Sequence, residues 1–195
     1  ELAQTLGVSR GALREGLRSL ESAGLLHARV GNGRFVALAG SETASAALTS
    51  FMQLQPIGDV IAMRRLLEPA AVRDIPATKI AVVAADALQS LQHMRRATAR
   101  RQYVQAATAH TTFHSSLVRY ASTRLLRQLL LGLIRASETA ELEVLRDQQA
   151  AKHSLARHQA IADPLAAGDV EEAARQVEQH LEPAFTYLAD PQQSG

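Results

Sequence analysis

The chain has 195 residues, enough for one or two domains with a buried core, and a formal net charge of +2. It has no cysteine, which excludes disulfides and thiolate metal sites and fits a reducing cytoplasm. No apolar run approaches the roughly 18 residues needed to span a bilayer and no signal peptide is visible, so no membrane partner is expected.

The positive excess is concentrated at the start. Residues 1–37 hold five arginines against three glutamates, which leaves the rest of the chain neutral overall. Ser9 reads as an N-cap, and the helix after it carries Leu13, Leu17 and Leu20 on one stripe. Arg10, Arg14 and Arg18 recur every four residues and so form a ridge on another part of that helix. Gly24 ends it. The segments 25–30 and 34–37 then flank Gly31-Asn32-Gly33, a tight-turn signal for a two-stranded hairpin. A basic helix followed by a glycine-tipped hairpin predicts a winged helix-turn-helix over residues 1–37. Such a module sets a helix into the major groove of double-stranded DNA. The competing reading is that the arginines merely solvate an exposed helix face.

The pattern S-R-x-x-L-R-E-x-L-x-x-L-E-x-x-G-L over 9–25, followed by G-x-G-x-F-V, resembles the GntR family of bacterial transcription regulators. The resemblance implies that Ser9, Arg10 and Arg14 touch bases or phosphates and that the tip from Gly31 to Gly33 lies in the minor groove. It also implies a further helix ahead of Glu1, with an arginine near that junction.

Residues 38–42 read as a linker. Beyond them the pattern is helical, predicting helices at 43–54, 57–74, 78–97, 100–120, 123–147, 151–167 and 169–190, and a tail at 191–195. Pro164 and Pro183 fall inside two of these helices and are expected to kink or interrupt them. Aromatics are only 4% of the chain, so the core must come from close packing of leucine- and alanine-rich helices. The fold class is therefore mainly α: a winged reader and then an all-α antiparallel bundle at 43–190, serving metal or effector binding and dimerisation. The stripe Leu125, Leu126, Leu129, Leu130, Leu133 and Ile134 is either bundle core or a subunit interface. A homodimer is expected, because two-fold symmetry lets two readers address two half-sites.

His110 and His114 lie four apart, on a face shared with Tyr103, Ala106, Ala107, Phe113, Leu117 and Val118. His158 shares a stripe with Leu155, Ile161, Ala162 and Leu165, and His180 with Ala173, Val177, Leu181, Ala184 and Leu188. His27, His93 and His153 have no such place. One buried neutral histidine is ordinary, but four on three helices of one bundle are costly unless they share a partner. A divalent metal such as Zn²⁺ or Ni²⁺ supplies that partner.

The tail H-Q-A-I-x5-A-G-D-x3-A-x6-H-L from His158 onward, with F-H at 113–114 and R-R-L-L-E-P at 64–69, is similar to the effector-binding FCD domain of the FadR subfamily. That resemblance implies a metal held by one aspartate and three histidines. By position His114, His158 and His180 match the histidines, while the aspartate falls at His110. Either an all-imidazole set leaves the metal charge uncompensated and favours an anionic effector, or His110 does not coordinate. Arg64, at the edge of an apolar stripe, suits a bidentate contact to a small carboxylate effector, the role the resemblance also implies. The alternative is a surface pair with Glu68 or Asp59.

Together these readings describe a ligand-responsive, DNA-binding transcription regulator, a metabolite-sensing repressor acting on an operator. The second reading is a metal-dependent hydrolase with a helical active site. Against it, no carboxylate stands at the metal-ligand positions, no nucleophile motif is present, and Glu138, Glu141 and Glu143 read as a solvated helix face.

Overall fold

A computed structural model describes residues 2–5, 7–22, 26–29, 33–36 and 42–189. Gly24, Gly31, the linker residues 38–41 and the tail 191–195 lie outside the described residues. The chain divides into two compact units, Glu1–Ser50 and Phe51–Gly195.

In the first unit, α1 (Leu2–Thr5) and α2 (Arg10–Ser22) are joined at Gly7, whose φ of +64° is the left-handed conformation that glycine adopts without strain. Val8 N–H reaches back to the Ala3 carbonyl at 3.0 Å, closing the turn. Ser9 caps α2: its Oγ accepts from Ala12 N–H at 3.1 Å, satisfying one of the amides a helix start leaves open. Leu13 and Leu17 are half-buried, while Arg10, Arg14 and Arg18 are exposed. Strands β1 (Leu26–Arg29) and β2 (Gly33–Val36) pair antiparallel, with Leu26 opposite Val36 and Arg29 opposite Gly33.

Helix α3 (Glu42–Gln53) runs across the division between the units. The second unit is built from α4 (Ile57–Arg73), a short 3₁₀ turn (Ala77–Lys79), α5 (Ile80–Ala99), α6 (Tyr103–Leu117), α7 (Arg124–Ala136), α8 (Glu138–Arg146), α9 (Gln148–Ala166) and α10 (Val170–Ala189). Helix α4 packs on α10 and α7, α5 on α6 and α9, and α6 also on α8. The main core draws Leu91, Met94, Phe113, Leu117, Ile161, Leu165 and Val177 from α5, α6, α9 and α10. Many buried positions between them are alanine, including Ala87, Ala106, Ala107, Ala162, Ala173 and Ala174. A methyl side chain lets helix axes approach closely, so a core poor in aromatics can be filled by close helix packing.

Local signals fix most of the boundaries. Thr123 caps α7 through Leu126 N–H at 3.1 Å, and Asp147 caps α9 through Ala150 N–H at 2.7 Å. At the end of α9, Gly168 (φ +85°) donates to the Leu165 carbonyl and Asp169 N–H to the Pro164 carbonyl, a Schellman arrangement. Asp169 then caps α10 through Glu172 N–H at 2.9 Å. Helix α9 runs through Pro164 to Ala166.

One expectation is corrected. The single helix expected over 123–147 is two helices, α7 and α8, meeting at Ser137. There the hydroxyl donates to the Ile134 carbonyl at 2.9 Å and accepts from Arg64 Nη1 at 2.7 Å, so a side chain competes for the backbone of the helix. The leucine stripe of α7 is also not uniform: Leu130, Leu133 and Ile134 are buried, while Leu125 is 66% exposed.

Candidate metal centre and DNA-reading surface

Helix α6 carries His110 and His114 one turn apart, and both point into the bundle because Ala106, Ala107, Phe113 and Leu117 of the same helix are buried. His158 comes from α9 and His180 from α10, each on its helix's apolar stripe. The four rings meet. Each histidine offers a ring nitrogen, and these four atoms lie within 4.8 Å of one another. His27 lies in β1 with an undescribed side chain, and His93 and His153 are exposed on the bundle surface.

The hydrogen bonds around the rings fix where the protons sit. Glu68 Oε2 lies 2.8 Å from His114 Nδ1, and an ionised carboxylate can only accept, so Nδ1–H donates. The Ser154 carbonyl likewise accepts from His158 Nδ1–H at 2.6 Å. Both rings therefore turn a bare Nε2 lone pair inward, and these two nitrogens are 3.2 Å apart. Two lone pairs at that distance repel unless a cation lies between them. A proton is disfavoured: burial, and then the closeness of the titratable His114 ring, push His158 down to about 3, and burial also lowers His114. Two nitrogens on one tetrahedral Zn²⁺, at Zn–N of about 2.0–2.1 Å, sit roughly 3.3 Å apart. His110 Nε2 and His180 Nδ1 are buried with no hydrogen-bond partner. Burial first, and then the other imidazoles, holds both of these rings well below the usual histidine range. Neutral imidazole is the form that binds metal, so the donor set fits a divalent ion.

Sequence reasoning placed two carboxylates of this site at the surface. Glu68 is fully buried, and although burial pushes its carboxyl up, Arg64 and His114 hold it down to about 2. Arg64 Nε donates to Glu68 Oε1 at 2.5 Å, so α4 supplies an Arg64–Glu68–His114 chain that orients the His114 ring toward the other three histidines. The Arg64–Glu68 pair given above as the alternative thus forms, but inside the bundle and not at the surface: Arg64 is 1% exposed. Arg64 Nη2 is buried with no partner. The signal was available in the i, i+4 spacing of Arg64 and Glu68 beside buried Ile61, Ala71 and Val72. Glu141, expected on a solvated face, is instead largely buried on α8 and accepts from Ser154 Oγ at 3.1 Å. Its Oε2 lies 3.6 Å from His110 Nε2, and burial pushes its carboxyl up. Glu138 and Glu143 belong to the surface, with Glu143 paired to Arg146.

In the N-terminal unit, Arg10 and Arg14 stand on the exposed ridge of α2, and Ser9 sits at its capped start. Gly33 opens β2, while Gly31 lies outside the described residues.

The chain matches the FCD domain over residues 59–183 and the bacterial regulatory proteins of the gntR family over residues 1–36. Among solved structures, it is similar to a GntR-family transcriptional regulator from Pseudomonas syringae pv. tomato. That similarity has 24% identity and a TM-score of 0.52, covering 99% of this chain and 75% of that one. It is also similar to a Streptococcus agalactiae GntR, with 18% identity, a TM-score of 0.55 and coverage of 95% and 85%. A third is E. coli McbR/YncC, with 15% identity, a TM-score of 0.52 and coverage of 100% and 85%. No curated protein matches the chain. The FCD match spans more than half of the sequence and the gntR match accounts for its start, which leaves the hydrolase reading without support. The chain belongs to the FCD-domain regulators of the gntR family, and is a ligand-responsive, DNA-binding transcription regulator.

Proposed function

We propose that the bundle senses a small organic acid at a divalent metal, and that occupancy changes how a homodimer of this regulator holds its two readers on an operator. His114, His158, His180 and His110 would hold the metal, Zn²⁺ or Ni²⁺. The observation that carries this reading is the 3.2 Å approach of two Nε2 atoms whose Nδ1 protons are already committed elsewhere. When bound, the metal supplies a Lewis-acidic, positively charged coordination site for a carboxylate oxygen. Four neutral imidazoles neutralise none of that charge, which favours an anionic effector over a neutral one. Arg64 would donate its unpartnered Nη2–H to the same carboxylate.

In the first unit, Arg10 and Arg14 would reach bases or phosphates, Ser9 would set the start of the recognition helix, and the tip from Gly31 to Gly33 would enter the minor groove. Repression follows if the effector-free arrangement is the one that fits the half-sites, because a ligand shifts an equilibrium only by its differential affinity for the two states.

The test is a thermal-shift screen of small carboxylates against metal-loaded and metal-stripped chain. A true effector at 100 times its Kd stabilises by about 2.7 kcal/mol, and that gain should vanish without metal. A carboxylate that stabilises both forms equally would remove the metal from the effector site.

A further inference from the structure

A second charged site lies away from the histidines, where the end of α5 meets α6. The corner carries Arg95, Arg96, Arg100 and Arg101, all exposed, and the sequence has no aspartate or glutamate between Asp86 and Glu138. On one side of it is a cleft of about 620 Å³, within the size range of small-molecule sites. Its cations come from separate elements: Arg95 from α5, Arg101 from the corner, Arg146 from the end of α8 and Lys152 from α9. Thr98 also lines the cleft, and its Oγ1 is buried without a hydrogen-bond partner.

Arg101 is the anomaly. Its N–H donates to the Thr98 carbonyl at 3.0 Å and Gln102 N–H to the Ala97 carbonyl at 2.9 Å, the same Schellman arrangement that closes α9. At the end of α9 the left-handed position is Gly168; here, at φ +57°, it is an arginine. Glycine is the ordinary occupant, and a side chain with a Cβ is disfavoured there. The sequence thus keeps a cationic side chain at a backbone position that argues against it, and that side chain lines the cleft.

The electrostatic balance favours an anion. Arg95 is engaged with the neutral Gln159 at 2.8 Å, and Arg146 with exposed Glu143 at 2.9 Å, an ion pair of the weak, exchangeable surface kind. Asp147 lies beside Arg146, but its Oδ1 is committed to capping α9. The carbonyl end of α5 opposes an anion with about half a charge, against the full charges of Arg95 and Arg101 at the same end. The opposite cleft at this corner takes its charged side chains, Arg96 and Arg100, from the end of α5 alone.

We infer that the cleft between Arg95, Arg101, Arg146 and Lys152 is a second binding site, for a phosphorylated small molecule, separate from the metal centre. The guanidiniums grip phosphate oxygens, Lys152 adds a point charge, and the Thr98 hydroxyl gains the partner it lacks. The site stands independently of the reading given for the histidines.

The test titrates fructose carrying two, one and no phosphate groups into the full chain, at matched ionic strength, with and without metal. Affinity should rise with phosphate number, be absent for fructose, and be indifferent to metal. Arg101→Gly removes the charge while suiting the turn better, so it should melt no lower than wild type and lose affinity about tenfold or more; Lys152→Ala should weaken binding similarly. Equal binding by both variants, no binding by the wild type, or binding only of random duplex DNA overturns the assignment. So does a fall in the melting temperature of Arg101→Gly measured without ligand, which would make the arginine a structural element of the turn.

Discussion

Arg10, Arg14 and Arg18 in the N-terminal unit stand in solvent, whereas Arg64 in the bundle is 1% exposed and His114 and His158 are wholly buried. Exposed cations keep their hydration and act over a Debye length of about 8–10 Å, so they can attract a polyanion without a fixed partner. Buried ones have lost that hydration and depend on the partners packed around them. The charges of the N-terminal unit are therefore expected to be individually dispensable to folding and to matter for DNA affinity. The bundle's charges are the reverse, because each is one half of a contact that cannot be broken alone.

The sharpest way to break this contrast is at Glu68. Glu68→Ala strands the Arg64 guanidinium inside the bundle and should cost about 3–5 kcal/mol, read by urea denaturation of metal-free protein. Replacing both partners with methionine should recover most of that loss, since an apolar pair leaves no buried charge. A loss below about 1 kcal/mol for Glu68→Ala would mean that the pair is solvated.

Acidification probes the same difference. Burial holds all four histidines neutral below their ordinary pKa, so the unfolded chain binds more protons than the folded one once pH drops under about 6.5. Stability of the metal-free chain should fall from pH 6.5 toward 5, approaching about 1.4 kcal/mol per pH unit for each such histidine as its unfolded form becomes fully protonated. The stabilising effect is present at high pH and lost at low pH. A flat profile across that window would show that the rings accept protons while folded.

Smaller effects are expected at the surface. Arg10→Ala and Arg14→Ala should each weaken operator binding by about 1–3 kcal/mol, and reduce the salt dependence by about one unit where the lost contact is to phosphate. Folding stability should move by less than about 0.5 kcal/mol. A variant that unfolds more easily but still binds DNA normally would invert the comparison.

Features carried by local chemistry were legible in the sequence. The Ser9 cap, the α2 arginine ridge and the four-residue spacing of His110 and His114 all follow from one helix at a time. The convergence of His158 and His180 on that pair was inferable because burying four imidazoles separately is costly. Glu68 and Glu141 were read as surface groups, since a carboxylate on a mixed helix face looks the same whether its partner is water or a side chain from another helix. The break at Ser137 was equally hidden: the hydroxyl there is held by Arg64, 73 residues away in sequence. What escaped the sequence is what depends on contacts between helices.

Metal content decides the histidine site. Elemental analysis of the purified chain, after dialysis against Zn²⁺ or Ni²⁺ and removal of excess, should find about one ion per chain, and His158→Ala should retain far less while staying helical. Wild-type protein that keeps its helical fold and binds neither ion would contradict the assignment, leaving the facing Nε2 atoms of His114 and His158 without a cation to join them.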